Sequence, residues 1–301
     1  MISVVVPIYQ SRSTISQCVE SIMRQTYQDI QIVLVDDGSN DGSSELCDEL
    51  AARDSRIEVI HQANQGRSVA RCNGVIQSKG EWLFFVDSDD MLPTDALRLL
   101  YERVSDDVDI VFGNGYTLCN EQRAQVPIDD FRHLAVRSEG TIGVPWGSLY
   151  RRKVLSSSLF DLPREIYNGE DYIFWLRLIF STDKPVNIVY EKVYLKGDEH
   201  TSGSFVWTAA YAQRLQQYRL QSIPQSSRHQ YLSDALADRI ANLFDVAVWS
   251  PRQEWIGSQF YRDIISDLSS LGKCLTLRQR LFLSVPSLRL RRVISRLLQS
   301  R

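Results

Sequence analysis

Apolar runs alternate with amphipathic stretches through the first 115 residues. Residues 3–8 are mostly β-branched and predict a strand buried on both faces. After them, Ser13 or Thr14 can open a helix that carries Ile15, Cys18, Val19 and Ile22 at spacings of three and four. Residues 30–35, 57–60, 82–86 and 108–112 repeat the strand pattern. Helical patterns separate them, running through Leu46 and Leu50, over 68–77, and from Pro93-Thr94 through Leu97, Leu100 and Tyr101. This alternation predicts an α/β fold, a parallel sheet covered by helices on both faces. Residues 116–204 are less regular, with Trp146, an aromatic stretch at 172–175 and a polar loop at 197–204. From Phe205 onward only helical patterns remain, broken near Pro224, Pro251, Gly272 and Pro286. The chain therefore reads as three regions, 1–115, 116–204 and an α-helical 205–301.

In sheets of this kind the ligand crevice lies outside the carboxyl ends of the strands. Three polar clusters fall at those ends: Pro7-Ile8-Tyr9, Asp36-Asp37-Gly38-Ser39 and Asp87-Ser88-Asp89-Asp90. The last is the strongest local signal. Asp87 and Asp89, aimed together by a tight turn, suit Mg²⁺ or Mn²⁺ shared with substrate phosphates. An acidic turn capping the next helix is the plainer reading, and the place after an apolar strand favours the metal. A carboxylate in the second cluster can accept a hydrogen bond from a base N–H, with Gly38 admitting a ligand closely; a capped βα turn is equally consistent. Arg71 can supply charge to a diphosphate, or simply face solvent. Glu170-Asp171 opens an apolar helix, where a carboxylate can act as a general base or answer the helix dipole. Among the histidines, His61 ends a strand and reads as structural, while His200 sits in a polar loop and can approach a metal or phosphate.

Composition narrows the classes. At 301 residues, 44% hydrophobic and 24% charged, the chain has enough apolar surface for a core without staples. Five cysteines without a C-x-x-C pair support neither a zinc ribbon nor a disulfide framework, so a reducing compartment is expected. No apolar run approaches the ~20 residues of a membrane span. The N-terminal apolar stretch lacks a basic flank and reads as a strand, not a signal peptide. The net charge of −3 hides an asymmetry: eight basic and no acidic residues follow Gly272, leaving −11 on residues 1–272. Leu290, Val293, Ile294, Leu297 and Leu298 form one apolar helical stripe, with Arg289, Arg292 and Arg296 mainly off it. A purely basic amphipathic helix suits an anionic membrane surface; packing on the acidic body is the alternative. The acidic body would repel nucleic acid.

Together the clusters resemble the inverting family 2 glycosyltransferases of GT-A fold, bacterial surface-polysaccharide type. The matching segments are VVVPIY (4–9), VLVDDGSNDGS (33–43), NQGRSVARCNG (64–74), GEWLFFVDSDDML (80–92), PWGSLYRR (145–152) and NGEDYIFWLRL (168–178), and their order makes the match specific. The resemblance implies a Rossmann-like, mixed but mainly parallel sheet, a GT-A catalytic domain over 1–204 and a helical region over 205–301. Within the catalytic domain, 1–115 would bind the nucleotide sugar, and 116–204 would supply the acceptor site and the base. It also implies roles. Pro7, Ile8 and Tyr9 line the nucleotide pocket, Asp37 contacts uracil, and Arg71 lies near the uracil or phosphates. Asp87, Ser88 and Asp89 meet the donor, with Asp87 and Asp89 holding Mn²⁺ or Mg²⁺ and His200 a further candidate ligand. Asp90 approaches the donor sugar or the acceptor, Trp146 and Glu170 approach the acceptor, and Asp171 is the catalytic base. Lys196, His200 and Ser202 are candidates for a loop closing over the phosphates. Where the family commonly reads A-R-N, this chain has Ala70-Arg71-Cys72.

The implied reaction moves a hexose or N-acetylhexosamine from a UDP-sugar to a hydroxyl of a lipid-linked saccharide, in capsule, exopolysaccharide or O-antigen synthesis. The implied setting is cytoplasmic, peripheral on the inner face of the cell membrane. Two rivals compete. A haloacid dehalogenase-type phosphohydrolase also has D-x-D after an apolar strand, but on its first strand and before a small residue, where this chain has Met91. The other rival is a nucleotide- or glycan-binding module without turnover.

Overall fold

The computed structural model describes residues 1–118, 123–138, 142–197 and 206–299, with side chains to 295. Contacts divide the chain into two compact units, Met1–His200 and Thr201–Arg301.

The first unit is built on β1 (Ile2–Ile8), β2 (Ile30–Asp36), β3 (Ile57–His61) and β4 (Trp82–Phe85), which pair in parallel. Every residue of β1, β2 and β4 is buried, as expected of strands covered on both faces. Helices α1 (Ile15–Met23), α2 (Ser43–Arg53) and α3 (Arg67–Gln77) make the crossovers. These elements fall within one or two residues of the boundaries expected from periodicity. The remaining elements of this unit are α4 (Ala96–Tyr101), β5 (Ile110–Phe112), β6 (Gln125–Val126), α5 (Ile128–Val136), β7 (Ser148–Arg151), α6 (Glu170–Ile179) and β8 (Val186–Ile188).

The eight described strands form one sheet in the order β3-β2-β1-β4-β7-β5-β8-β6. It departs from an all-parallel sheet at β7, which runs antiparallel between β4 and β5, and at β6, antiparallel to β8. The chain leaves β1 toward β2 on one side, then returns through β4 on the other. That reversal opens a crevice at the carboxyl ends of β1 and β4.

An aromatic cluster fixes α6 to the sheet. Phe174 meets Phe85 edge-on at 6.0 Å and Tyr150 at 6.0 Å, while Trp175 meets Phe112 at 5.9 Å. Such geometry exceeds plain area burial by about 1 kcal/mol per pair. It anchors the helix whose first turn carries Glu170 and Asp171.

The second unit is helical: α7 (Ala209–Ser222), α8 (Leu232–Trp249), α9 (Arg252–Trp255), α10 (Gln259–Ser270), α11 (Leu277–Ser284) and α12 (Leu288–Gln299). Leu236, Leu243, Val246, Trp255, Phe260 and Ile264 lead its core. Here the expected tail stripe is corrected. Leu290 and Val293 are 50% and 52% exposed, whereas Ile294 packs against the helical core. Arg291, counted by sequence among the free cations, is fully buried. It donates to the carbonyls of Ala247 (2.6 Å), Ser250 (2.9 Å) and Val285 (2.6 Å). Helix C-termini leave carbonyls without partners, and Arg291 satisfies those of α8. Leu297 and Leu298 lie beyond the described side chains.

Candidate active site

A cleft of about 470 Å³ opens at the β1/β4 crevice, lined by Pro7, Ile8, Tyr9, Asp37, Arg67 and the Asp87-Ser88-Asp89 turn, among others. Ser11, Ser13 and Thr14 also line it and carried no motif signal in the sequence. Tyr9 is 53% exposed beside the buried Ile8, so its ring is available at the mouth.

Asp37 directly follows β2 and is almost fully buried. Its carboxylate accepts from Gln62 Nε2, Gln65 N and Gly66 N, each at 2.8 Å. A carboxylate has about four acceptor positions, so one is left for a ligand N–H. Asp37 thus shapes the 62–66 loop as well as facing the cleft. Gly38 has a structural requirement of its own: its φ is +75°, and a Cβ there would sit 2.8 Å from Asn64 N, against the 62–64 backbone. Asp36 accepts from Ser39 N at 3.0 Å and pairs with His61 Nδ1 at 3.1 Å. Burial pushes its carboxyl up, but the Ser39 and His61 hydrogen bonds outweigh that and hold it below the ordinary value. His61 is structural, as expected.

Arg71 does not face solvent. It belongs to the inner face of α3 with Ala70, Gly74 and Val75, and its side chain is 3% exposed. It is not among the residues lining the cleft; the arginine that lines it is Arg67, one turn earlier. Beneath the cleft, Arg71 Nη2 donates to Asp87 Oδ1 at 2.8 Å and Nη1 to Asp171 Oδ1 at 2.6 Å. One guanidinium therefore joins two residues 84 apart in the chain, the first Asp of the D-x-D and the expected base.

Ser88 is buried, its hydroxyl 2.6 Å from that of Ser11, which fixes the turn to the β1 exit. Asp89 is exposed, and no partner reaches its carboxylate among the described residues. Asp90, expected near the donor sugar or the acceptor, has both carboxylate oxygens engaged within the protein. It is 6% exposed and accepts from Tyr194 Oη at 2.6 Å and Gly197 N at 2.8 Å. Burial, partly opposed by those two hydrogen bonds, pushes its carboxyl up. Tyr194, not singled out by sequence, also accepts from Asp87 N at 3.0 Å. Gly197 allows the 195–197 segment to touch the turn: a Cβ there would lie 2.1 Å from Asp89 O.

Glu170 and Asp171 divide their tasks. Glu170 is 4% exposed and forms an ion pair with Arg67 at 2.5 Å. Burial first, then neighbouring Asp171, pushes its carboxyl up to about 7 against the pull of Arg67. Asp171 keeps 21% of its side chain exposed. Trp146 stacks on Tyr194 at 4.4 Å and lines a second cavity with Tyr172 and Lys196. Lys196, expected near the phosphates, stands 5.5 Å from the Trp146 ring instead. His200 and Ser202 lie outside the described residues.

Among the described residues no three His, Cys, Asp or Glu side chains converge as a self-sufficient metal cage. The donor set nevertheless fits Mn²⁺ or Mg²⁺. Such ions are commonly held by one or two carboxylates plus substrate phosphates and water, and Asp89 and the second oxygen of Asp87 meet that need.

Comparison with known proteins agrees with this architecture. The family model for glycosyl transferase family 2 matches residues 3–159. Glycosyltransferase GlyG of Streptococcus pneumoniae serotype 4 is 47% identical over 118 residues, 38% of this chain and 39% of GlyG. The uncharacterized glycosyltransferase EpsJ of Bacillus subtilis is 33% identical over 208 residues, 65% of this chain and 60% of EpsJ. The matched regions thus span less than two thirds of either relative. The crystal structure of TarS from S. aureus shares the fold with a TM-score of 0.67 and 19% identity, covering 89% of this chain and 49% of TarS. A GT-A-like fold, the D-x-D turn at its crevice and the family match together place this chain in glycosyl transferase family 2.

Proposed function

We propose that the protein transfers a hexose or N-acetylhexosamine from a UDP-sugar to a saccharide hydroxyl, with inversion at the anomeric carbon. The observation that carries this reading is the Arg71 bridge, which joins Asp87 of the D-x-D to Asp171. Asp171 takes the proton from the acceptor hydroxyl as its oxygen bonds to the anomeric carbon. The bond from that carbon to the UDP oxygen breaks, and the pair leaves with UDP. Attack opposite the leaving group inverts the centre. Tyr9 and the free acceptor position of Asp37 receive the base, and Arg67 brings positive charge to the cleft wall. Asp87 and Asp89 are the residues that would hold Mn²⁺ or Mg²⁺, which when bound neutralises diphosphate charge as a Lewis acid. A diphosphate entering a cleft lined by Asp37, Asp87 and Asp89 needs that counter-charge.

TarS structures in complex with UDP and with UDP-GlcNAc, similar to this chain in fold, support the choice of a UDP-sugar. Membership of family 2 displaces the phosphohydrolase alternative. A panel of common UDP-sugars, scored by UDP release with and without Mn²⁺, tests the reading. Release from at least one donor, dependent on metal and stimulated by acceptor, is expected. Metal-dependent UDP binding without release from any donor would favour a binding module.

We further place the acceptor on a membrane-borne lipid, at the inner face of the cell membrane. Support comes from α11 and α12, which expose Leu277 (70%), Leu281 (59%), Leu290 (50%) and Val293 (52%) beside exposed arginines such as Arg278 and Arg289. Among the described residues no helix is long and apolar enough to cross a membrane.

A further inference from the structure

Arg67 stands on the wall between two cavities. One is the donor cleft. The other, of about 430 Å³, shares Tyr9, Asp37 and Arg67 with it and adds Arg164, Tyr167 and Glu170. Toward this other side Arg67 makes two contacts. Its Nε pairs with Glu170 Oε1 at 2.5 Å, and its Nη2 donates to the Tyr167 carbonyl at 3.2 Å. Its Nη1 has no partner among the described residues, and the side chain is 53% exposed.

Glu170 is the opposite kind of group. Its side chain is 5% exposed. Despite the short approach of Arg67, its Oε1 accepts no aligned hydrogen bond among the described residues. Charged groups face it from two helices, Asp171 on α6 and Arg67 and Arg71 on α3. Asp37 and Arg164 line the same cavity. Arg71 is already committed to Asp87 and Asp171, so Arg67 is the counter-charge of Glu170, and it is a movable one. A buried carboxylate that loses its partner is costly and neutralises by taking a proton. Burial and Asp171 already push this carboxyl up to about 7, with Arg67 the main opposing pull. A diphosphate in the donor cleft competes for the same guanidinium. It carries more than one negative charge and offers paired oxygens to the guanidinium fork.

We propose that donor binding draws Arg67 from Glu170 to the diphosphate, that Glu170 takes up a proton from solvent as it does so, and that Glu170 is therefore the residue that positions Arg67 before the donor enters. One ion pair breaks, another forms, and one proton passes from solvent to the Glu170 carboxylate. Asp171 is then left without a like-charged neighbour in the first turn of α6. The proposal deepens the transferase reading and rests on it in taking the ligand of the cleft to be a diphosphate.

The test is calorimetric titration of the full chain with UDP and Mg²⁺ at pH 7.5, in two buffers of different ionisation enthalpy, which reports the protons exchanged on binding. Glu170→Gln, run alongside, subtracts the protons that belong to UDP itself. A carboxyl near 7 is about one quarter protonated at this pH, so the native protein should take up about half a proton more per UDP than the variant. From pH 6.5 to 8.5 its UDP affinity should fall about tenfold relative to Glu170→Gln. Arg67→Gln should weaken UDP binding about tenfold. It should also lose the extra uptake, because Glu170 without its partner is protonated before UDP arrives. Arg67 is half-exposed, so this variant keeps the comparison open if Glu170→Gln does not fold. Equal uptake by the native protein and both variants, or a UDP affinity indifferent to Arg67, would overturn the proposal. UDP that binds without the extra uptake overturns this proposal alone, whereas UDP that does not bind overturns the donor-cleft reading and this proposal with it.

Discussion

Beneath the cleft, Arg71 joins carboxylates delivered by two separate parts of the chain. A buried guanidinium with two carboxylates is costly to desolvate, and breaking such a pair from one side costs about 3–5 kcal/mol. Asp87 and Asp171 retain 27% and 21% exposure and can rehydrate, so the lower end applies. Arg71→Met should lose about 3 kcal/mol in urea unfolding, and adding Asp171→Asn should cost less than the sum of the single changes. Strict additivity would mean the bridge does not form. Glu170 gives a pH signature. Its carboxyl sits near 7 when folded, raised from an ordinary 4.5, so the folded chain binds the extra proton between those values. Stability from this group is therefore full below about pH 4.5 and falls as pH rises to about 7. Glu170→Gln removes that slope, so the variant should gain on the native protein by up to roughly 3 kcal/mol between pH 5 and 8. A pH-independent difference between their melting curves would contradict this. The residue types were legible: Asp37, Asp87 and Asp89 line the cleft, and Arg71 ties Asp171 to Asp87. The direction of Arg71 was not, because whether a helical arginine points inward depends on carboxylates delivered from β4 and α6.

At the scale of elements, the long apolar strands and their crossovers were readable because fully buried strands leave a continuous hydrophobic run. The shorter pieces were not. β7 has four residues and β6 two, and their pairing partners lie far along the chain. Such strands are made by the sheet that receives them rather than by local preference. The tail shows the same limit. Periodicity found an amphipathic α12 but not that Arg291 would be drawn inward to cap α8. The exposed face that remains combines Leu277, Leu281, Leu290 and Val293 with arginines. It should float with phosphatidylglycerol vesicles and not with phosphatidylcholine. Each basic residue near such a surface contributes about 1 kcal/mol, so Arg278→Gln with Arg289→Gln should weaken flotation about tenfold or more. Equal flotation of that variant would remove the membrane face. Ending the chain at Gly272 is a poorer test, since Phe282, Leu283 and Arg291 belong to the helical core.

Across the whole molecule, charge separates into places with different chemistry. The overall −3 resolves into an acidic body and a basic end. Within the body, carboxylates gather at the donor cleft and lysines at the aromatic cavity. The first contrast is visible in the sequence because eight basic residues and no acidic one fall in the single stretch 273–301. The second is not, because Tyr116, Trp146, Tyr172, Lys192 and Lys196 come from separate segments and meet only in the fold. The central claim is that Asp171 acts as the base in a cleft whose donor binding belongs to other residues. Asn keeps the shape and can still accept from Arg71. The most direct measurement is therefore sugar transfer and UDP affinity, side by side, in Asp171→Asn. Transfer should fall about 10²–10⁴-fold, with UDP bound in the presence of Mn²⁺ as tightly as before. Near-native turnover in that variant would contradict the assignment.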